Sequence, residues 1–156
     1  MLSSVYIESS VISYLTARPS RDVVTAARQA ITEEWWLERL NSFEVFISAL
    51  VEEEISSGNV DAAKRRLEAV ADFSSLDITS EAQRLAEHLL AARAIPASCP
   101  EDALHIGIAA ANGIEFLLTW NFKHINNAQT KALIAETLNQ EGFICPVLCS
   151  PEELGE

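Results

Sequence analysis

The sequence contains few of the residues from which disulfide-rich and zinc-ribbon proteins are built. It has three cysteines, five glycines and five prolines among 156 residues. The number of cysteines is odd, and no Cys-x-x-Cys pair occurs among Cys99, Cys145 and Cys149. A disulfide framework normally has an even number of cysteines and a zinc ribbon has Cys-x-x-Cys pairs, so the sequence matches neither class. No G-x-G-x-x-G follows a predicted strand, which disfavours a dinucleotide-binding protein. We therefore expect reduced thiols in a cytoplasmic protein.

Basic residues and long apolar runs are also scarce. Eleven Lys and Arg face 23 Asp and Glu, which gives a formal net charge of −12. That balance disfavours a general nucleic-acid coat protein, because such proteins bind phosphate through a basic surface. No apolar run approaches the roughly 20 residues that span a bilayer, and the first residues lack the basic region of a signal peptide. The sequence thus predicts no association with membranes.

The pattern of apolar residues predicts one α/β domain. Short apolar runs alternate with longer helical patterns. The predicted strands are 5–7, 44–47, 116–118 and 146–148. The predicted helices are 9–15, 22–40, 49–57, 61–71, 81–93, 101–112 and 127–140. Such alternation is typical of a parallel sheet covered by helices on both faces, and we assign a single domain to residues 1–150 and a C-terminal tail to residues 151–156.

Polar side chains follow two of the predicted strands. Glu8 comes directly after the first strand, and Asn121 follows the third in the segment Leu118-Thr119-Trp120-Asn121. Ligands of parallel sheets bind at the carboxyl ends of the strands. By position alone, Glu8 could instead complement a helix macrodipole and Asn121 could cap a turn.

Helical geometry distinguishes Glu54 from its acidic neighbours at positions 52 and 53. Leu50, Val51 and Ile55 define the buried arc of this helix, and Glu54 lies within that arc. Burial of a lone carboxylate is costly unless the group is paired, protonated or bound to a metal ion. We therefore expect Glu54 to have a partner.

Asp102 opens a helix that is apolar nearly all round and should be buried. No Lys or Arg lies between Arg93 and Lys123, so the nearby sequence offers no basic partner. His105 is one turn further on and is either a neighbour of the site or a core histidine. Asp102 itself could be only an acid of the first helical turn.

Taken together, Glu8, Glu54, Asp102 and Asn121 are three carboxylates and an amide at one predicted sheet edge. Clustered like charges repel one another unless a cation lies between them. Oxygen ligands select a hard ion such as Mg²⁺ or Mn²⁺. The sequence therefore predicts a divalent-metal centre at this edge.

Four short segments, in order, resemble the motifs of the PIN-domain family. They are Tyr6-Ile7-Glu8-Ser9-Ser10-Val11-Ile12, Ile47-Ser48-Ala49-Leu50-Val51-Glu52-Glu53-Glu54, Asp102-Ala103-Leu104-His105-Ile106 and Leu118-Thr119-Trp120-Asn121. Their order and spacing match over almost the whole chain. The branch that the sequence most resembles is the VapC-type toxins of type II toxin–antitoxin pairs.

The resemblance implies a Rossmann-like three-layer α/β/α PIN fold with a short parallel central sheet. It also implies a Mg²⁺- or Mn²⁺-dependent endoribonuclease that cleaves RNA phosphodiesters. Members of this branch are often homodimers and are often inhibited by a cognate antitoxin protein. RNA, an antitoxin and a second copy of the chain are therefore the expected partners.

Carried over position by position, the resemblance makes Glu8, Glu54 and Asp102 the metal ligands and Asn121 the fourth catalytic residue. The residues expected beside them are Ser9, Thr119 and His105. Two positions depart from the family pattern, because Glu8 replaces the usual Asp and Asn121 replaces a frequent Asp. The site then has three formal negative charges, which should weaken recruitment of a second metal ion.

Three basic residues are candidate RNA contacts at the mouth of the site. Arg18 and Arg21 follow the first predicted helix, and Lys123 follows Asn121. Each could contact a phosphate, or could belong to ordinary solvated surface.

Two other functions are consistent with part of this pattern. A catalytically silent PIN-like interaction module would explain the unusual Glu8 and Asn121. A phosphoacceptor receiver domain also has an acidic pocket on a parallel sheet, but it needs an acceptor Asp after the central strand and a Lys after the last one. Neither is present in that order, so a metal-dependent ribonuclease is the leading hypothesis.

Overall fold

The computed structural model describes residues 1–155, with five β-strands and seven α-helices. The strands are β1 (Ser3–Ile7), β2 (Phe43–Ser48), β3 (Ser74–Leu76), β4 (Phe116–Leu118) and β5 (Val147–Cys149). The helices are α1 (Ser9–Thr16), α2 (Val23–Glu38), α3 (Ala49–Ile55), α4 (Val60–Ala69), α5 (Ser80–Ala91), α6 (Pro100–Ala111) and α7 (Lys131–Gln140). A 3₁₀ turn, Leu40–Ser42, precedes β2.

The strands form one parallel sheet in the order β3-β2-β1-β4-β5. Val5 of the central β1 pairs with Val45 on one side and with Phe116 on the other. Helix α1 contacts α2, α3 and α4, and α5 contacts both α6 and α7. The predicted three-layer α/β/α arrangement is therefore confirmed. The direction of the strand order reverses between β1 and β4, so the carboxyl ends of these two strands flank the position where ligands of such sheets bind.

Burial explains the apolar sequence of the central elements. Val5, Tyr6 and Ile7 of β1 are fully buried, as expected for a strand covered on both faces. Helix α6 is buried along most of its length, and His105 lies within this apolar stretch. The predicted burial of α6 is thus confirmed.

Strand β3 is absent from the sequence-based prediction. Its first two residues, Ser74 and Ser75, are exposed, so the segment has no apolar pattern. Its pairing with β2 defines it as a strand, with Ile47 opposite Ser75. Such pairing depends on tertiary structure and leaves no local signal.

Most predicted boundaries shift by one or two residues, and the start of α7 shifts by four. Helix α7 begins at Lys131 rather than at 127, because the preceding residues form a turn. The side chain of Asn127 bridges this turn, accepting from the backbone N–H of Gln129 and donating to the carbonyl of Phe122. Strand β5 is displaced by one residue, to Val147–Cys149.

The described part of the predicted tail packs against the domain. Pro151 is buried, and the indole N–H of Trp35 donates to the carbonyl of Leu154 over 3.3 Å. The amide of Asn126 donates to Glu153 over 2.8 Å. Residue 156 lies outside the described residues. No helix in residues 1–155 is long and apolar enough to cross a membrane.

The three cysteines are free thiols with different environments. Cys99 and Cys145 are half-buried, and Cys149 is buried beside β4. Burial raises the pKa of Cys145 to about 11. Burial, reinforced by the charge of Glu153, raises the pKa of Cys149 to about 12. Both thiols are therefore protonated at neutral pH.

These pKa values predict slow alkylation of Cys145 and Cys149 by iodoacetamide in the folded protein. The thiolate is the reactive species, so the rate should rise about tenfold per pH unit from pH 7 to pH 10. Mass spectrometry of timed samples measures each site. The urea-unfolded chain is the control, in which both thiols should react much faster at pH 7. Equal rates in the folded and unfolded protein would contradict the assignment.

The absence of a side chain at Gly107 allows α5 and α6 to pack closely. A Cβ built at Gly107 would lie 2.4 Å from the carbonyl oxygen of Ala82 on α5. That atom belongs to a helical backbone and cannot rotate away. Close contact between α5 and α6 fixes the position of α6, which carries Asp102 and His105.

We expect Gly107→Ala to lower the free energy of unfolding by about 1–3 kcal/mol, because the added methyl group overpacks the interface. In an ordinary helix interior the same substitution stabilises by up to about 1 kcal/mol. Urea denaturation measures the difference. The control is Gln83→Ala at an exposed position of α5, which should be nearly neutral. If Gly107→Ala leaves the free energy of unfolding unchanged, α5 and α6 can move apart without loss of stability, and the prediction is wrong.

Candidate metal centre

Glu8 is fixed at the junction between β1 and α1. It is the N-cap residue of α1, and its Oε2 accepts from the backbone N–H of Ser10 over 3.1 Å. Its Oε1 accepts from Ser10 Oγ over 2.5 Å and from Thr119 Oγ1 over 2.6 Å. Thr119 immediately follows β4, so the neighbouring strand ends provide both the carboxylate and one of its donors. Only 6% of Glu8 is exposed, and these donors compensate for its lost hydration.

Glu54 lies on the side of α3 that faces the site. Ser48 caps this short helix by accepting from the backbone N–H of Val51. Glu54 Oε1 accepts from Ser9 Oγ over 2.5 Å and lies 2.7 Å from His105 Nε2. Burial raises the pKa of Glu54, but the hydrogen bonds from His105 and Ser9 outweigh burial and hold the pKa below its usual range. The expectation that Glu54 has a partner is confirmed.

His105 connects Glu54 to the interior of the sheet. Its Nδ1 lies 2.7 Å from Tyr6 Oη, which in turn lies 2.7 Å from Ser48 Oγ. Burial lowers the pKa of His105, but the hydrogen bond to Glu54 and the charges of Glu8, Glu54 and Asp102 raise it above its ordinary value. A protonated His105 donates from Nε2 to Glu54 and from Nδ1 to Tyr6, whose hydroxyl can then donate to Ser48. Both ring nitrogens are thus engaged, and His105 positions Glu54.

Asp102 lies in the first turn of the buried helix α6 and has two partners from the loop after β4. Its Oδ1 accepts from Asn121 Nδ2 over 3.1 Å, and its Oδ2 lies 2.8 Å from His124 Nδ1. Asn121 Oδ1 accepts from the backbone N–H of His124 over 3.0 Å. The amide oxygen of Asn121 is therefore already in use, and its side chain acts on Asp102 as a donor.

The acidic residues belong to two adjoining groups. Ligand atoms of Glu8, Glu54 and His105 lie within 4.8 Å of one another, and those of Cys99, Asp102 and His124 do the same. The charge of Asp102 still acts on His105, together with the charges of Glu8 and Glu54. The two groups therefore form one electrostatic region at the carboxyl edge of the sheet.

The donor set of this region fits a hard divalent cation. Glu8, Glu54 and Asp102 supply carboxylate oxygens, the ligand type that Mg²⁺ and Mn²⁺ prefer. Among residues 1–155, the ion-pair partners of Glu54 and Asp102 are histidines rather than Lys or Arg. In the same part of the chain, Glu54 Oε2 makes no hydrogen bond, which leaves one oxygen available. Glu8 and Glu54, whose ligand atoms lie within 4.8 Å of each other, could hold an ion directly, whereas Asp102 belongs to the adjoining group.

The candidate RNA contacts lie on exposed surface. Arg18 and Arg21 are located between α1 and α2, and Lys123 follows Asn121. None of the three forms an ion pair within residues 1–155. They are available to a ligand, and the structure records no contact between them and the acidic region.

Several residues of the site have no role in the sequence-based prediction. They are Tyr6, Ser10, Ser48 and, as the partner of Asp102, His124. Tyr6 contacts residues 42 and 99 positions away, so no local pattern indicates its role. A signal did exist for Ser10, since a hydroxyl two residues after a buried carboxylate at a helix start can donate back to it.

A model of the PIN domain family matches residues 5–128, a range that includes both acidic groups. The chain belongs to the PIN domain family. The four motifs that predicted this membership carry Glu8, Glu54, Asp102 and Asn121, which the PIN fold brings to one edge of its sheet.

Two of the solved structures that are similar to this PIN domain are VapBC structures. One is VapBC2 from Rickettsia felis, bound to a DNA fragment from the VapBC2 promoter. The comparison has a TM-score of 0.53 and 13% sequence identity, and it covers 94% of this chain and 98% of that chain. VapBC-5 from Mycobacterium tuberculosis, a member of the VapBC family of toxin-antitoxin systems, has a TM-score of 0.47 and 16% identity, with coverage of 81% and 93%. The likeness to VapBC2 supports the fold. No curated protein matches the sequence significantly.

Thr119 offers a test of how the PIN domain holds Glu8. Thr119→Val removes the donor to Glu8 Oε1 and the acceptor for the backbone N–H of Asn121. We expect the free energy of unfolding to fall by about 1–3 kcal/mol, the usual cost of leaving buried polar groups without partners. Urea denaturation measures the loss. The control is Thr137→Val, whose hydroxyl donates only to the carbonyl of Leu133 in its own helix. Equal effects of the two substitutions would contradict a special role for Thr119.

Proposed function

We propose that this PIN domain is a divalent-metal-dependent endoribonuclease and the toxin of a toxin–antitoxin pair. One observation carries the proposal: Glu8, Glu54 and Asp102 lie in one electrostatic region at the carboxyl edge of the sheet, beside His105. An acidic region with histidines as its ion-pair partners favours a cation over an anionic cofactor. The family membership of the chain supports hydrolysis of a nucleic acid.

Mg²⁺ or Mn²⁺ held by Glu8, Glu54 and Asp102 would supply Lewis-acid polarisation of a phosphoryl oxygen. The protein's own contribution is to fix these carboxylates. Ser10 and Thr119 orient Glu8, while Ser9 and His105 orient Glu54. Such surrounding donors hold ligands in place and tune their basicity.

Asn121 and His124 perform the same task for Asp102. Because Asn121 donates to Asp102 and accepts from the backbone of His124, it couples the carboxylate to the loop after β4. Its neutral amide also leaves the centre with three formal negative charges. We propose that one metal ion suffices here, since fewer charged ligands weaken recruitment of a second.

RNA is the proposed substrate, bound weakly outside the metal centre. The net charge of −12 opposes broad attraction to phosphate, whereas a bound cation would reverse the charge locally. Arg18, Arg21 and Lys123 are exposed and could contact phosphates beside the site. Selection of the RNA then depends on shape or on a partner.

A cognate antitoxin and a second copy of the chain are the proposed protein partners. Helix α2 leaves Val23, Val24 and Leu37 exposed, and α4 leaves Val60 exposed. Exposed apolar side chains mark a surface that binds another protein where they form one contiguous patch. The VapBC2 structure and the resemblance of the four motifs to VapC-type toxins favour an antitoxin as one occupant.

Carboxylate substitutions test the nuclease proposal. We expect Glu54→Gln and Asp102→Ala each to lower the Mn²⁺-dependent rate of RNA cleavage by about 100-fold or more, because each removes a charged ligand. The rate is measured on a labelled RNA with and without Mn²⁺. The matched control is Glu53→Gln, an exposed position on the same helix, which should cleave at the native rate.

Undiminished cleavage by both Glu54→Gln and Asp102→Ala would exclude this site. Calorimetric titration of the native protein with Mg²⁺ and Mn²⁺ distinguishes the alternative function. Binding accompanied by RNA cleavage supports the nuclease. Absence of binding to either ion would instead identify a catalytically silent PIN interaction module.

A further inference from the structure

A second group of metal-binding side chains adjoins the carboxylate centre and differs from it in chemistry. Cys99, Asp102 and His124 offer one sulfur, one oxygen and one nitrogen within 4.8 Å of one another. All three side chains are half-buried. A sulfur–oxygen–nitrogen set differs from the neighbouring group, in which Glu8 and Glu54 supply carboxylate oxygens.

Local structure brings these three ligands together. Cys99 is the N-cap residue of α6, and Asp102 lies in the first turn of the same helix, which Pro100 opens. The side chain of Cys99 makes no capping hydrogen bond; its Sγ lies 3.7 Å from Ser98 Oγ, a weak contact. The thiol is therefore not committed to the helix and is available as a ligand.

The loop after β4 supplies the third ligand in a fixed position. His124 Nδ1 lies 2.8 Å from Asp102 Oδ2, and Asn121 binds both residues, donating to Asp102 Oδ1 and accepting from the backbone of His124. Asn121 holds Asp102 and the backbone of His124 as outer hydrogen bonds hold metal ligands, whereas the direct contact between His124 and Asp102 would give way to bonds with the ion. The pair is thus built independently of Cys99, whose Sγ lies within 4.8 Å of its ligand atoms.

The ligand set selects a different ion from the carboxylate centre. Zn²⁺ is bound by Cys, His and Asp, with three protein ligands in sites that keep an open fourth position. Ligand atoms around tetrahedral Zn²⁺ are separated by about 3.3–3.6 Å, so donors within 4.8 Å need only small side-chain movements. Thiolate and imidazole also favour Zn²⁺ over Mn²⁺, which lies low in the order of affinities for such ligands.

We propose that Cys99, Asp102 and His124 form a thiophilic-metal site for Zn²⁺ that shares Asp102 with the carboxylate centre. A zinc ion bound there occupies the carboxylate of Asp102. Asp102 is then not available to a Mg²⁺ or Mn²⁺ ion held by Glu8 and Glu54. Zinc therefore opposes Mg²⁺ or Mn²⁺ at the neighbouring centre and acts as an inhibitor; this last step rests on the proposed nuclease function.

Co²⁺ is the probe for the site itself, because a thiolate bound to tetrahedral Co²⁺ gives a charge-transfer band together with visible d–d bands. We expect these bands in the native protein and in Cys145→Ser, and their loss in Cys99→Ser. Cys145 is the matched control, since it is also half-buried but lies in the segment before β5. Serine is nearly isosteric with cysteine, and circular dichroism confirms that each variant is folded. A native protein without the charge-transfer band, or a band that persists in Cys99→Ser, would overturn the site.

Competition by Zn²⁺ for bound Co²⁺ gives the zinc affinity without any measurement of activity. His124→Gln removes the imidazole ligand while retaining a polar side chain, and we expect it to weaken Zn²⁺ binding at least about tenfold. His88→Gln is the control, because His88 lies outside the site and pairs with Glu141. The Zn²⁺ affinity of this variant should equal that of the native protein. Equal affinities in the two variants would exclude His124 as a ligand.

The inhibitory role is tested by titrating Zn²⁺ into Mn²⁺-supported RNA cleavage, each rate being expressed relative to the same variant without zinc. The half-inhibitory Zn²⁺ concentration should be about tenfold higher for Cys99→Ser than for Cys145→Ser. Equal concentrations would overturn the coupling. A native protein that shows the Cys99-dependent Co²⁺ band but cleaves no RNA would support the zinc site and overturn the proposed nuclease function.

Discussion

The structure depends on holding three carboxylates at one edge of a sheet against their mutual repulsion. Within residues 1–155, the ion pairs of Glu54 and Asp102 are with His105 and His124. Glu8 is buried and accepts hydrogen bonds from hydroxyl and backbone donors. Because the hydroxyl and backbone donors satisfy particular oxygens without adding a formal charge, the carboxylates remain ligands that a divalent cation can neutralise.

The parallel sheet determines which residues share this edge. Reversal of the strand order between β1 and β4 places Glu8 next to Thr119 and directs the loop after β4 towards the start of α6. Gly107 permits close packing of α5 and α6, which fixes that helix start. The same loop approaches Cys99 and Asp102, so one arrangement of the backbone brings a hard and a soft set of ligands into contact.

Much of the fold was predictable because its central elements have strong patterns. The apolar strands β1 and β4 and the buried helix α6 follow directly from hydrophobicity. Strand β3, with two exposed serines, has no such pattern and exists through its pairing with β2. Glu54 could be distinguished from its neighbours since a helix places one face inward. Its partner His105 remained open, because only packing shows which of several distant side chains meets a buried carboxylate.

The sequence by itself determined the α/β class, the family motifs and the acidic residues that those motifs carry. The tertiary structure decided how each acid is satisfied. Asn121 serves Asp102 as a donor and has its oxygen engaged, His124 pairs with Asp102, and Tyr6 links His105 to Ser48. The physical reason is that hydrophobic period and strand order are local or repetitive signals. Hydrogen bonds between residues up to 119 positions apart, in contrast, exist only after the chain has packed.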